Sequence, residues 1–210
     1  MDDPRTYMTA SVAVAGTGDP RRKISPADQT RARAMLLRKT DLPGFKAERS
    51  PSGGDVAFSC AALDESDLTI TGFADSPDFS AGLVFASSEA QVYESVADGS
   101  KAFARDTSAA GATCLKSALQ KEFAKEGLTL RTFRKLAFPN VAQRTAAYRI
   151  GLAGQSQGTT VTVFFDAVVL LRARAEVFLA VGSALRPPVK AVDLHVARVL
   201  AARMNTAMPS

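Results

Sequence analysis

Along the chain the spacing of apolar positions changes period several times, and each change marks an element. Leu68–Phe73 sets Leu68, Ile70 and Gly72 against Thr69, Thr71 and Phe73, the two-residue alternation of a half-buried strand. Gly82–Val92 is strand-like again, built from Leu83, Val84, Phe85 and Val92, and Asp75-Ser76-Pro77-Asp78 before it has the composition of a turn. At Val96 the period lengthens: Val96, Phe103 and nearby alanines suit a helix to about Asp106, followed by a Ser/Ala/Gly break. Thr113–Glu126 then keeps Leu115, Ala118, Leu119, Glu122 and Phe123 on one helical face, with Gly127 placed to end the helix.

The last third is the most regular. Thr129–Phe138, Arg144–Leu152, Thr159–Leu171 and Ala175–Val181 are predicted as consecutive strands. Val161, Val163, Phe165, Ala167, Val169 and Leu171 share one face of the third, and Ala146, Tyr148, Ile150 and Leu152 one face of the second. The loops Gly154–Gly158 and Arg172-Ala173-Arg174 are too short for a parallel crossover, so these strands pair antiparallel. Arg186-Pro187-Pro188 ends the run, and a final helix from about Val189 to Met204 is expected to bury Val189, Val192, Val196, Val199 and Leu200.

At the other end, Ser25-Pro26-Ala27-Asp28 is a helix-start signal, with Ser25 as cap, Pro26 in the first turn and Asp28 completing a capping box. This helix is predicted to run to about Lys39 and to stop at Leu42-Pro43-Gly44. A polar loop, Ser50–Asp55, leads to a short strand, Val56–Cys60. Residues 1–24 read as a flexible lead-in rich in Ala, Gly and Thr, and residues 25–206 as one domain. The fold class is α+β.

Composition narrows function mainly by exclusion. The 210 residues are 46% hydrophobic, and no apolar run approaches the ~18 residues of a membrane helix. One histidine and two cysteines exclude metal sites that need several of either, so no metal and no cofactor is expected. The net charge of +5 is uneven: residues 1–126 carry 15 basic and 18 acidic side chains, whereas 127–210 carry 11 basic ones and only Asp166, Glu176 and Asp193 as acids. The basic residues are spread singly, without the clusters of a nucleic-acid interface; a solvated strand face accounts for them, and the expected partner is a small molecule or envelope component, anionic if this surface takes part. Cys60 and Cys114 form no CxxC pattern and are either two buried thiols or one disulfide. Met1–Lys23 has no apolar core of a signal peptide, so the chain is either cytosolic or the mature part of an exported protein.

Gly154-Gln155-Ser156-Gln157-Gly158, followed by Asp166 and His195, has the order of a serine hydrolase. A nucleophile elbow needs a helix after the serine, however, and Thr159–Leu171 has the period of a strand. Asp64, Glu65, Asp67, Asp75 and Asp78 lack the spacing of a calcium loop. Asp166 stands out more, since it lies in a strand otherwise made of Val, Phe and Leu, on the face of Phe164 and Val168. An ionised carboxylate there needs a partner, and Arg149 or Arg134 can supply it. Asp166 is then either half of a strand-crossing ion pair, or open to water at an edge, or part of a ligand cleft; on the last reading Asp166, Arg149, Arg134 and Tyr148, otherwise a core aromatic, are the candidate ligand-binding residues.

The segments ADQTRARAMLLRKTDLPGF, VYESVADGSKAFARDT with CLKSAL, and VFFDAVVLLRARAEVFLAV with VARVLAARM together resemble the actinobacterial extracytoplasmic sensor-domain and LpqN-type lipoprotein group, over about residues 25–205. The resemblance implies a PsbP-like three-layer α/β/α sandwich with a mainly antiparallel sheet. It also implies an exported or surface-anchored protein that binds ligands or partners beside the sheet and does not catalyse. The group's kinase sensor domains carry two disulfides; here at most one, Cys60–Cys114, carries over. The expectation is a non-enzymatic extracytoplasmic binding or sensor-like module. Its alternatives are a small hydrolase using Ser156 and an envelope scaffold that binds proteins through a sheet edge.

Overall fold

In the computed structural model, which describes residues 14–15, 18–48, 56–57, 60–156 and 158–209, the chain is α+β with a mixed, mostly antiparallel sheet and four helices. The elements run β1 (Val14–Ala15), β2 (Arg21–Arg22), α1 (Pro26–Met35), β3 (Lys46–Glu48), β4 (Val56–Ala57), β5 (Thr69–Asp75), β6 (Asp78–Ala81) and β7 (Val84–Tyr93). After these come α2 (Val96–Asp106), α3 (Ala109–Lys125), β8 (Thr129–Lys135), β9 (Arg144–Ser156), β10 (Thr159–Arg172), β11 (Ala175–Ala184) and α4 (Lys190–Ala207). The main sheet has the order β2-β5-β7-β11-β10-β9-β8, with β6 also on β7 and β3 on β6. Only β2 joins it parallel. A separate pair, β1 and β4, is parallel as well.

Alternation along the strands sorts their side chains into different packing groups. Val168 and Leu170 of β10 pack with Met35 of α1 and with Val196, Leu200 and Met204 of α4, whereas Val169 and Leu171 pack with Phe103 of α2. Leu119 and Phe123 of α3 cover Ile150, Leu152 and Phe165. Two close approaches fix this packing. A β-carbon on Gly72 would lie 2.3 Å from the Asp28 carbonyl, so α1 rests directly on β5 there; one on Gly182 would lie 1.6 Å from Phe85 Cζ, so the Phe85 ring lies across β11. Phe85 in turn meets Phe165 edge to face at 5.2 Å.

Most predicted elements are present, with instructive departures. α1 ends at Met35, because Leu36 is extended and buried with Leu37 in the core. Ser25 caps α1 through the Asp28 amide at 3.1 Å, but the capping box does not form. Asp28 instead receives Arg174 at 2.7 and 2.9 Å, Thr71 at 2.6 Å and Arg31 at 2.6 Å. The stretch 75–78 does not reverse the chain: β5 and β6 both pair antiparallel with β7. They form one line interrupted at Ser76-Pro77, since proline has no N–H for the ladder. The reversal comes at Gly82-Leu83. α3 begins four residues early because Ser108 caps it through Gly111 N at 2.8 Å. Of the predicted strand at 56–60 the structure describes Val56–Ala57 and Cys60; Phe58 and Ser59 lie outside the described residues.

The start of α4 departs most. Val189 and Val192, expected in the core, are 65% and 41% exposed, whereas Val196 and Leu200 are buried. The helix is buried only from Asp193 onward; Leu185, just past the end of β11, takes a positive φ of 70°. Ala173 takes the other positive φ among the described non-glycine residues, 50°, in the tight β10–β11 turn. The far end of α4 closes on α1: Arg203 donates to both oxygens of Asp41 at 2.6 and 2.7 Å and to the Leu36 carbonyl. Cys60 and Cys114 form a disulfide that joins the segment before β5 to α3. Among the described residues no helix is long and apolar enough to cross a membrane.

Candidate functional site

The four residues singled out from the sequence do not converge. Arg149 of β9 and Asp166 of β10 stand opposite each other in register, and the guanidinium engages both carboxylate oxygens, through Nε at 2.6 Å and through Nη2. Nη2 also donates to the Pro188 carbonyl at 3.3 Å. Asp166 is 0% exposed and Asp193 of α4 is 1% exposed. Burial, together with a hydrogen bond to Asp166, pushes the Asp193 carboxyl up to about 8. Near neutral pH Asp193 therefore keeps its proton and donates it to Asp166. This arrangement fastens the first turn of α4 to the sheet and leaves the Arg149 fork little donor capacity for a ligand. Arg134 is the register partner of Arg149 on β8 but is exposed, and it is Arg149 that pairs with Asp166. Tyr148 points the opposite way, as its neighbouring position in β9 requires, and donates to the Thr107 carbonyl at 3.2 Å.

The hydrolase constellation is not assembled either. Ser156 is the last residue of β9 and pairs with Thr159 across a hairpin, so a strand follows the motif where an elbow would need a helix. Asp166 lies seven residues beyond Thr159, roughly 23 Å at ~3.3 Å per residue. His195 is exposed on α4.

A second group of buried charges lies on the Tyr148 side of the sheet. Glu176 of β11 stands in register with Gln91 of β7, and Gln91 with Phe73 of β5; in the next row Phe178 stands by Glu89, and Glu89 by Asp75. Tyr93 reaches this row from the end of β7. Its hydroxyl donates to Gln91 Oε1 at 2.9 Å and lies 3.4 Å from Glu65 Oε2, and Gln91 Nε2 donates to Glu89 at 2.7 Å. Asp106, the last residue of α2, shares a hydrogen bond with Glu176. Glu176 is 6% exposed, and its Oε2 is buried with no hydrogen-bond partner among the described residues.

Burial dominates the electrostatics of this group. It pushes Glu65 up to about 8, aided by the charge of Asp106. It raises Asp106 to about 6 and Glu176 well above the carboxylate range, and the bond between them puts the proton on Glu176. Arg105 offsets part of this for Glu65 and Asp106, yet its fork is committed to Asp67 at 2.6 and 3.0 Å. Gln91, Glu89, Phe178, Phe73, Ser87 and Ala180 are all half-buried, so this part of the sheet is only partly covered. A shallow groove of about 360 Å³ elsewhere, between α1 and α4, is lined by Ala34, Arg38, Ala202, Arg203, Thr206 and Ala207. It holds no comparable polar group, because Arg203 is spent on Asp41. Among the described residues no three metal-binding side chains are grouped to hold a metal ion.

Sequence reasoning missed this acidic group because Glu65, Glu89, Asp106 and Glu176 are far apart in the chain. The available signal was Glu176, an acid within Ala-Glu-Val-Phe-Leu-Ala-Val, as anomalous as Asp166 within its own strand. No family model matches the chain, and no curated protein matches it. Among solved structures it is similar to a Pseudomonas aeruginosa protein of unknown function, PA94. The two are 17% identical over 76% of this chain and 94% of that one, at a TM-score of 0.23, a likeness too slight to carry over either fold or function.

Proposed function

We propose that the chain is a non-enzymatic extracytoplasmic binding or sensor-like module, a PsbP-like three-layer sandwich that takes its ligand on the sheet beside α2. The observation that carries this reading is the Glu176 carboxyl: it shares a proton with Asp106, yet its buried Oε2 has no hydrogen-bond partner among the described residues, which is costly unless something satisfies it. Its surroundings, Asp106, Glu65, Gln91 and Glu89, are partly open, which is the combination of convergent polar groups and aromatic walls that binding sites favour. The Cys60–Cys114 bond supports an oxidising compartment and hence a cell-envelope or secreted location, since such bonds are rare in reducing cytosol.

The test is native mass spectrometry of protein expressed through an exporting pathway, set beside its denatured mass. A small-molecule adduct that Glu176→Gln removes, on a chain two hydrogens lighter than its reduced form, is the expected result. Two free thiols and an empty native mass would refute it. Turnover lost on changing Ser156 would favour the hydrolase alternative, to which the hairpin placement of Ser156 gives no support.

A further inference from the structure

The acidic group on the Tyr93 side of the sheet differs from an ordinary cluster of surface acids in three respects. Its central member, Glu176, is 6% exposed and presents an oxygen that no donor reaches among the described residues. Among the described residues no ion pair reaches Glu65, Asp106 or Glu176: Arg105 and Lys101 are both drawn to Asp67, so that Arg105 acts on Glu65 and Asp106 only through its charge, and Arg144 stacks on the Phe103 ring at 4.4 Å. The group is also bordered by aromatic faces. Phe178 is two residues from Glu176 on the same side of β11, and Phe73 lies two strands away in the same row, about 10 Å at ~4.8 Å per strand. The Phe73 ring already carries a guanidinium, that of Arg22, at 5.0 Å.

Surplus acceptors, no directly paired counter-charge among the described residues and aromatic neighbours favour a cation that donates hydrogen bonds and packs on a ring. A bare metal ion suits the site less well, because the acids are not grouped for coordination and phenyl walls supply no ligand oxygen. We infer that this site binds a small organic cation through its ammonium or guanidinium group, with Glu176 and Asp106 as the accepting carboxylates. The inference rests on the binding-module reading and adds the chemical class of the ligand. Binding displaces the proton that Glu176 shares with Asp106: the ligand's N–H groups donate to the carboxylates, and the proton leaves to solvent. Tyr93, Gln91 and Glu89 border the site, and Arg105 is the charged group opposing it.

The experiment uses the disulfide-bonded full chain, isotope-labelled for amide NMR and titrated with agmatine, calcium chloride, glucose and citrate in turn, with calorimetry of agmatine in buffers of different ionisation enthalpy. Agmatine is expected to shift the amides of Glu176, Asp106 and Gln91. It should release about one proton per ligand and bind up to about tenfold more tightly per pH unit while the displaced proton remains bound to the free protein. Glu176→Gln should weaken binding at least tenfold; Asp106→Asn gives the same test should the first variant fold poorly. Agmatine binding that Glu176→Gln leaves unchanged overturns the inference. If glucose or citrate shifts these amides and agmatine does not, the cation class is wrong and the binding-module reading stands. Calcium alone shifting them reassigns the site to a metal ion, and silence from all four removes both proposals.

Discussion

Asp28→Ala tests the way the first helix is held. Asp28 is 6% exposed and accepts from Arg174 twice, from Thr71 and from Arg31. Its truncation leaves the Arg174 guanidinium with the Tyr93 carbonyl at 2.6 Å and the Thr71 hydroxyl as hydrogen-bond partners. Breaking a buried pair by removing one partner costs about 3–5 kcal/mol. The Arg174 side chain is 23% exposed and can draw in water, and Arg31 is partly exposed already, so the lower end of that range, about 3 kcal/mol, is expected at pH 7. The cost also has a pH signature. Chiefly the Arg174 hydrogen bonds hold the Asp28 carboxyl far below its usual 3.8; a depressed acid contributes stability that is full above about pH 4 and lost as pH falls through the folded value. Urea denaturation of both proteins at pH 7, 5 and 3 measures this: the gap should be equal at 7 and 5 and should narrow at 3. A loss under 1 kcal/mol at pH 7, or a gap as wide at pH 3, would refute the reasoning.

Glu65 predicts the opposite pH trend. Its folded value near 8 stands above the usual 4.5, so between those values the native state binds more protons and stability should fall as pH rises from about 5 to 8. Urea midpoints at three pH values check this, and Glu65→Gln should flatten the slope. Removing the disulfide as Cys60→Ala/Cys114→Ala should cost about 2–4 kcal/mol, because the bond closes a loop across 54 positions; thermal melts of the two proteins report it. Gly182→Ala should cost about 1–3 kcal/mol by driving the Phe85 ring off β11. Combining it with Phe85→Ala should cost less than the two single changes added, a double-mutant cycle that an additive result would contradict.

What the sequence disclosed follows from how locally each feature is encoded. α2 spans Val96–Asp106 as its periodicity predicts, since the Ser95 cap and the apolar stripe lie within a few residues of each other. The hairpins of the last third were legible for the same reason. β6 was not, because four residues after a proline show too little alternation, and its pairing depends on β7 continuing past Ser88. Val189 and Val192 keep helical spacing and yet are exposed, because spacing marks the apolar face of a helix without saying where along it the contact with the sheet begins. As for the candidate site, Asp166 was recognisable as an acid needing a partner, and Arg149 was among the partners foreseen. Tyr148 was grouped with them although adjacent positions, 148 and 149, must face opposite sides. The Glu65–Asp106–Glu176 group depends on the segment before β5, α2 and β11 meeting, and no local pattern announces it.

The contacts that fix α1 also set a timetable for folding during synthesis. Asp28 waits for Arg174, 146 residues later, and Asp41 for Arg203, 162 residues later. At about 5–20 residues per second, a ribosome needs roughly 7–30 s to supply the first of these partners. Throughout that interval β7 also lacks β11, its neighbour in the middle of the sheet. The amino-terminal third therefore cannot settle while the chain is growing, and it emerges as a segment with exposed apolar surface that a holdase can engage. The final helix completes the fold by closing over the first, so a chain truncated before Arg203 would lose the contact that ties its two ends together.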